Sequence, residues 1–429
     1  MGIRQRRWTW KGKEKSAWVV EYFDLKGKRR LKTFKTRRAA EGWAAETRVS
    51  IKRGTHIADS DSATVAEAGE LWMQTGKENG LVRSSLKQNR EHLDLHIAPF
   101  IGDVKLSQLS VPFIRAFEGN LRDEGRSPAL TRKVLSSLGA IVADAQERGL
   151  AMHNPVREMR ANRGKRRTKA TRERRKPLAV GVDIPTPAET KAVLHASTGF
   201  RRAFFATAAL SGLRASELRG LRWQDVDLSK ATITVRQRAD AWSEIDQPKS
   251  EAGYRTVPVP SLVVNALKEW KLACPLRNTG RKDADGGPIK ELHYVFPTGK
   301  GQVESHSNLV QRQWWPLQVT AGVSAPVVDD GGNPVMALDA DGKVFFDHND
   351  KPIPAMRAKY SGLHALRHFF CSWCAARTQD GGLGLPLKTV QVRMGHSTLA
   401  MTADRYGHLF PSQDDAEVLA AGERALMGA

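Results

Sequence analysis

Near its C-terminus the sequence reads MTADRYGHLF, which sets Tyr406 between Arg405 and Gly407-His408. The chain holds five tyrosines among 429 residues. A phenol has a pKa of about 10, so it becomes a nucleophile only beside positive charge and a proton acceptor. Four segments supply such groups: SGLRASEL with Arg214, QPKSEAGYRTVPVP with Lys249, HALRH with His364 and Arg367, and MGHSTLAMTADRY with His396 and Tyr406. Guanidiniums are planar, permanently charged donors suited to clamping the non-bridging oxygens of a phosphodiester. A lysine can protonate a leaving oxygen, and imidazoles can move or hold protons. Each segment alone has a purely structural reading. Arg214 and Glu217 lie three apart and suit a helix ion pair. Lys249 suits a solvated turn. His364 and Arg367 share a helix face and could only hydrogen-bond. Four segments in this order within one region are harder to explain that way.

Charge narrows the partner. The net value is +22, and it is localised. Residues 1–53 hold 17 Lys and Arg against 5 Asp and Glu, and residues 157–176 hold 11 against 2. The rest of the chain is nearly neutral. Concentrated positive charge fits a polyanion, because each neutralised phosphate releases counterions. Neither basic segment forms an amphipathic helix with an apolar face, so nucleic acid is favoured over a membrane surface. No stretch reaches the ~18 apolar residues of a membrane span. The N-terminus MGIRQRRWTWKGKEK has no apolar signal-peptide core. Cys274, Cys371 and Cys374 cannot build a disulfide framework, which suits a reducing cytoplasm. Cys371 and Cys374 read as core thiols on one helix, since two further metal ligands are not arranged nearby.

The elements that must position these groups follow from pattern. The fold expected is mainly α with small β-sheets (α+β). Residues 1–58 read as a β-rich module: AWVVEYF and KRRLKTF flank Asp-Leu-Lys-Gly, and an alanine-rich helix runs from Thr36 to Gly54. Residues 63–160 read as four helices, opened at Thr64, at Ser84 or Ser85, at Val111-Pro112 and at Ser127-Pro128, and closed by HNPV. Residues 161–183 are a basic linker, containing Lys165, Arg166 and Arg167. Residues 184–429 form the large domain. In it AFFATAALSGLRASELRGLRWQDVDL reads as one long helical stretch, and ATITVRQRA, AWSEIDQPKS and YRTVPVP as three antiparallel strands. Residues 325–354 alternate apolar pairs with Asp/Gly/Asn turns and read as a β-meander insertion. Its DADG stretch lacks the later ligands of a calcium loop. The tail 411–429 places Leu419, Ala420, Leu426 and Met427 at helical spacing.

The SGLRASEL, PKS…R.VPVP, HALRH and GHS…T.DRYGH boxes, in that order, resemble the tyrosine recombinase family of phage integrases. The resemblance covers essentially the whole chain. It implies an arm-type DNA-binding module at 1–58, a core-binding (SAM-like) helical domain at 63–160 and a catalytic domain at 184–429. It implies that Tyr406 attacks the scissile phosphate to form a 3′-phosphotyrosine with release of a 5′-hydroxyl. Arg214 and Arg367 would clamp the phosphate and Lys249 would protonate the leaving oxygen. His364 would assist the proton of Tyr406, and His396 would hold a non-bridging oxygen. No metal and no cofactor are expected. Phosphate contacts are expected from Arg29, Arg30, Lys32, Lys165, Arg166 and Arg167. The implied partners are double-stranded attachment sites and sister subunits in a tetramer, with a directionality factor and a host DNA-bending protein as accessories. The tail helix would dock on a neighbouring subunit. The reading is thus a cytoplasmic integrase of a phage or mobile element. The rival readings are a DNA-binding protein without strand exchange, and a type IB-like topoisomerase or nickase. Met394 replaces the leucine usual before Gly-His, a volume-conserving exchange.

Overall fold

The computed structural model describes residues 1–429 except 12, 53, 55, 59–60, 166–176, 340, 348–349, 411–414 and 429. It divides into two compact units, Met1–Arg174 and Arg175–Ala429.

The first unit opens with an antiparallel sheet of β1 (Gly2–Trp10), β2 (Lys13–Phe23) and β3 (Arg29–Phe34). The strand β1 goes beyond the two runs legible in the sequence. It pairs along β2 from Gly2↔Glu21 to Trp10↔Lys13. The turn into β3 is headed by Asp24, whose Oδ1 accepts from Lys26 N and Lys28 N. Helix α1 (Arg37–Lys52) covers one sheet face, burying Ala40 and Ala44 against Val20. The same unit contains α2 (Val65–Glu78), α3 (Arg83–His92), a short π-helical continuation and α4 (Ala98–Ile101), then α5 (Val111–Asp123), α6 (Pro128–Glu147) and α7 (Pro155–Lys165). Helix α2 begins in a capping box, with Thr64 and Glu67 satisfying each other's backbone N–H groups. Ser110 and Ser127 cap α5 and α6 ahead of Pro112 and Pro128. The segment HNPV does not close the bundle. Pro155 starts α7, whose Val156 and Met159 are buried in the helical core. The first residues assigned to the linker are therefore helical, while Arg166 and Arg167 lie outside the described residues.

The second unit is built round α9 (Gly199–Ser211), which follows α8 (Pro187–His195). Phe204, Phe205, Ala206 and Ala209 are all buried, so α9 beyond Arg202 lies in the centre of the core. The expected single long helix breaks at Gly212, which takes a left-handed conformation with φ 67°. The chain restarts as α10 (Ala215–Arg219). The three-stranded sheet has the order β4 (Val226–Asp227), β5 (Thr232–Val235), β8 (Arg255–Pro258). The run AWSEID is not its middle strand. Its end, β7 (Ile245–Asp246), pairs separately with β6 (Arg238–Ala239), the end of the preceding run. Helix α11 (Ser261–Ala273) and the hairpin β9 (Arg277–Lys282) and β10 (Pro288–Glu291) follow. Next come a π-helical segment, α12 (Trp315–Thr320), and the pair β11 (Ser324–Pro326) and β12 (Met356–Ala358) that brackets the insertion. The site helices are α13 (His364–Ala375), α14 (Leu387–Met394) and α15 (Leu399–Tyr406), and α16 (Asp415–Met427) ends the chain. Cys371 and Cys374 are buried thiols on α13. Leu426 and Met427 of α16 are exposed. Among the described residues no helix is long and apolar enough to cross a membrane.

Candidate active site

Two glycines govern the site. Gly212 ends α9 and Gly395 ends α14, both with positive φ, at 67° and 61°. A Cβ on Gly395 would sit 2.8 Å from Arg255 Nη1 and 2.9 Å from Ala252 O, so only glycine fits this close approach. Each helix end leaves carbonyls without intrahelical partners and carries partial negative charge. The two arginines singled out from the sequence take up those carbonyls. Arg367, on α13, donates to Gly212 O and Met394 O and is 2 % exposed. Arg214, at the N-cap of α10, donates to Gly395 O at 2.9 Å and to Glu217 Oε1 at 2.7 Å. The two guanidiniums thus converge on adjacent carbonyls, Met394 and Gly395.

Glu217 and Arg255 complete the frame. Arg255, at the head of β8, is buried and donates to both Glu217 oxygens, at 2.8 and 3.2 Å, and to Arg393 O at 2.8 Å. Burial alone would raise the Glu217 pKa, but Arg255, Arg214 and Arg367 overcome it and hold the carboxyl down at about 2. Glu217 therefore remains an anion and helps to hold three cations in one small volume. For Arg367, burial and the nearby charge of Arg214 act in the opposite sense to Glu217 and lower its pKa to about 9.

Tyr406 closes α15 and is 1 % exposed, packed with Phe370, Cys371, Val390 and Met394. Burial pushes its pKa up to about 12, against the lowering effect of Arg367 and Arg405. Its hydroxyl lies 2.6 Å from His368 Nδ1. The other ring nitrogen, Nε2, lies 3.4 Å from Arg405 Nη2. Arginine has no acceptor, so that contact requires a lone pair on Nε2 and places the ring proton on Nδ1. In this network His368 donates to the Tyr406 oxygen. Burial, His364 and Arg405 hold the His368 pKa down at about 3, so the ring is neutral. His364 stands on the same helix face, its ring 4.4 Å from that of His368. Burial and the cations Arg367, Arg405 and Arg214 lower its pKa to about 4. His396 stacks nearly parallel to Tyr406, with ring centroids 6.2 Å apart, and its Nδ1 meets Thr402 Oγ1 at 2.9 Å. Its pKa is lowered to about 4 by burial, then by Arg367 and Arg214.

The structure thus brings Arg214, Arg367, His364, His396 and Tyr406 into one connected group. Lys249 stands apart and exposed, on the loop after β7. Three participants were missed in the sequence: His368, Arg255 and Arg405. His368 was visible as the last letter of HALRH, four residues beyond His364 and so on the same helix face. Arg255 stood in the quoted hairpin as an ordinary strand residue. The expected nucleic-acid contacts separate by strand alternation. Arg30 and Lys32 pair with Tyr22 and Val20 on the face that carries α1. Arg30 is tied to Asp24 and Asp61, each at 2.8 Å, and Lys32 lies 4.9 Å over the Trp43 ring. Arg29 lies on the opposite face, which Arg4 and Arg6 share by the β1–β2 register, and pairs with Glu21 at 2.5 Å. Lys165 ends α7.

Comparison with known proteins places these features in context. Residues 186–324 match the model of the phage integrase family, a span that includes Arg214 and Lys249 and ends before His364. The chain is 25% identical over 416 residues to a tyrosine recombinase XerC-like protein of Caldanaerobacter subterraneus subsp. tengcongensis, covering 91% of each chain. It is 25% identical over 280 residues to a putative prophage phiRv2 integrase of Mycobacterium tuberculosis, covering 62% of this chain and 70% of that one. Among solved structures it shares its fold with the Tn1549 transposon integrase in complex with transposon right end DNA. That match has a TM-score of 0.53 and 19% identity, over 85% of this chain and 99% of that one.

Proposed function

Because the chain belongs to the tyrosine recombinase family of phage integrases, we propose that it is a site-specific recombinase working through Tyr406, and that it integrates a phage or mobile element into a host chromosome. The observation that carries this reading is the convergence of Arg214 and Arg367 on the Met394 and Gly395 carbonyls, twelve and eleven residues ahead of Tyr406. Each guanidinium has five N–H donors, and the carbonyls and Glu217 use only some of them. The remainder are available to the non-bridging oxygens of a phosphodiester, where charge builds in the transition state.

The steps follow from these groups. The Tyr406 oxygen attacks phosphorus, the Tyr–O–P bond forms and the P–O5′ bond breaks. The phenolic proton leaves to an acceptor, and His364, neutral at pH 7, has a free ring nitrogen to take it. Lys249 delivers a proton to the departing 5′-oxygen once its loop closes on DNA. His396 orients a non-bridging oxygen. The phosphotyrosine conserves the energy of the cleaved bond, so a 5′-hydroxyl of a partner strand reverses the chemistry without ATP. In the structure described, Tyr406 is buried with its hydroxyl on His368, so DNA entry has to open the site around the Tyr406–His368 pair.

The domain reading follows the same premise: 1–58 contacts arm-type sites, 63–160 contacts core sites, and 184–429 carries the chemistry. Arg29, Arg30, Lys32, Lys165, Arg166 and Arg167 are proposed phosphate contacts, with Arg29 the best placed of the three on the sheet. Double-stranded attachment sites, a tetramer on paired sites, exchange of α16 between subunits, accessory bending or directionality factors and a cytoplasmic location belong to the same proposal.

Covalent trapping tests it. The protein is incubated in EDTA with DNA flanking its own gene, denatured with SDS and examined for a protein–DNA adduct, beside Tyr406→Phe. An adduct with the wild type alone supports the reading. Bound DNA without adduct on a nicked, trapping substrate would leave a binding protein in which Tyr406 is a core residue.

A further inference from the structure

Between β11 and β12 the chain forms a branched ladder of hairpins, built from three nine-residue repeats: VVDDGGNPV at 327–335, ALDADGKVF at 337–345 and FFDHNDKPI at 345–353. Each repeat makes one turn headed by an aspartate. Asp329 Oδ1 accepts from Gly331 N and Asn333 N, Asp339 Oδ1 from Asp341 N and Lys343 N, and Asp347 Oδ1 from Lys351 N. Each turn is closed by a single bridge: Val328↔Pro334, Leu338↔Val344 and Phe346↔Pro352. The hairpins meet at two junctions where backbone bonds run in a cycle. Val327 N donates to Ala355 O, Ala355 N to Val335 O and Val335 N to Val327 O. The second cycle joins Ala337, Ile353 and Phe345 in the same way. The meander expected from sequence is therefore a tree of three short arms.

Such arms are marginal without a surface to pack on, and this tree has no core of its own. Among its described residues none between 324 and 359 is buried. Leu338 is 58 % exposed, Phe346 54 % and Phe345 50 %, and Val328, Val335 and Ile353 are exposed as well. At its foot, a cleft of about 620 Å³ continues the apolar surface, lined by Trp315, Pro316, Val319, Ala325, Met356 and Ala358. Exposed apolar surface of this extent marks an interaction site. Charge selects the partner. Residues 324–358 carry six aspartates against Lys343, Lys351 and Arg357, whereas residues 1–53 of each copy hold 17 Lys and Arg against 5 Asp and Glu. Asp330, Asp341 and Asp350 are exposed and do not head turns. An acidic arm is repelled by DNA and by anionic membranes, and attracted to a basic protein.

We propose that the 327–355 tree and the cleft at its foot form a docking surface for a second copy of this chain. The basic stretches of a second copy have the fitting charge, and joining two sites places copies side by side. The inference rests in that respect on the recombinase reading above.

The test uses the full chain with Leu338→Ser/Phe346→Ser, which alters only exposed side chains, and a second variant in which an Asn-Gly turn replaces 327–355 across the Pro326↔Met356 pair. Sedimentation and gel-shift measurements compare binding to one half-site and to two adjacent half-sites of the DNA that flanks the gene. The expected result is unchanged half-site affinity, with cooperativity for the second copy falling at least roughly tenfold in both variants. Unchanged cooperativity would overturn the proposal, as would a wild type that binds paired sites without cooperativity. Loss of half-site affinity would also overturn it, making the tree a DNA contact. Cooperativity is read without chemistry, so a missing covalent adduct would count against the recombinase reading alone.

Discussion

Replacing His368 tests how the nucleophile is prepared. Nδ1 of His368 lies 2.6 Å from the Tyr406 hydroxyl, and the Arg405 contact at Nε2 leaves Nδ1 as the donor. A hydrogen bond donated to a phenolate is charge-assisted and contributes about 1.5–3 kcal/mol. Its loss should raise the Tyr406 pKa, already pushed up to about 12, by about one to two units. His368→Phe keeps a ring but no donor. Single-turnover cleavage of a nicked substrate should then fall about 10- to 150-fold at pH 7, and recover as pH rises. His368→Asn returns an amide donor close to the Nδ1 position and should restore much of the rate. DNA affinity, read by gel shift, should be unchanged in both. If His368→Asn were as slow as His368→Phe, the ring would be acting as acceptor or as packing, and the donor assignment would be wrong. A wild-type rate and pH profile in His368→Phe would remove His368 from the reaction altogether.

Further outcomes follow from the same geometry. His396 is buried and its pKa is about 4 in the fold against about 6.5 unfolded, so the unfolded chain binds the extra proton first. Stability from this group is complete above about pH 6.5 and is lost as pH falls toward 4, by roughly 3 kcal/mol; urea midpoints measured across this window should fall, and His396→Asn should flatten the fall. Glu217→Ala leaves Arg255 buried without its carboxylate and should cost about 3–5 kcal/mol, read as a lower urea midpoint for the second unit with little change in slope. Lys249→Ala should slow cleavage while sparing binding, and a 5′-thio leaving group, which needs no proton, should restore the rate; a substrate change that gave no recovery would argue against the general-acid role.

Much of this architecture is legible in local sequence, and the failures share a cause. Thr64, Val111-Pro112 and Ser127-Pro128 mark helix starts correctly because capping is decided within four residues, whereas the opening expected at Ser84 or Ser85 falls inside α3, which starts at Arg83 without a side-chain cap. The misread middle strand is different. AWSEID has strand character, but whether it joins β5 or folds back on Arg238-Ala239 depends on partners far along the chain. The long helix through SGLR was misread because apolar periodicity continues across Gly212, while the left-handed turn there is imposed by the glycine itself. Helix α7 was lost inside a charge run, since its buried Val156 and Met159 are two residues among many cations.

The site shows why residue types outran roles. Arginine, histidine and tyrosine in four boxes announced phosphate chemistry, because few other reactions need that set. Which histidine meets the tyrosine was not fixed by spacing. His364 and His368 share one face of α13, and only the position of α15 against it places His368, not His364, on the hydroxyl. The same holds for the arginines. SGLR and MGH each contain a glycine next to functional residues, and both glycines turn out to end helices whose carbonyls seat the guanidiniums. A Cβ at Gly395 would meet Arg255 and Ala252 O, and any shift of Gly395 to relieve that contact would move the carbonyl that fixes Arg214. The glycines in these boxes are thus part of the cation-binding frame: they set where the charge sits before any phosphate arrives, which is what electrostatic preorganisation requires.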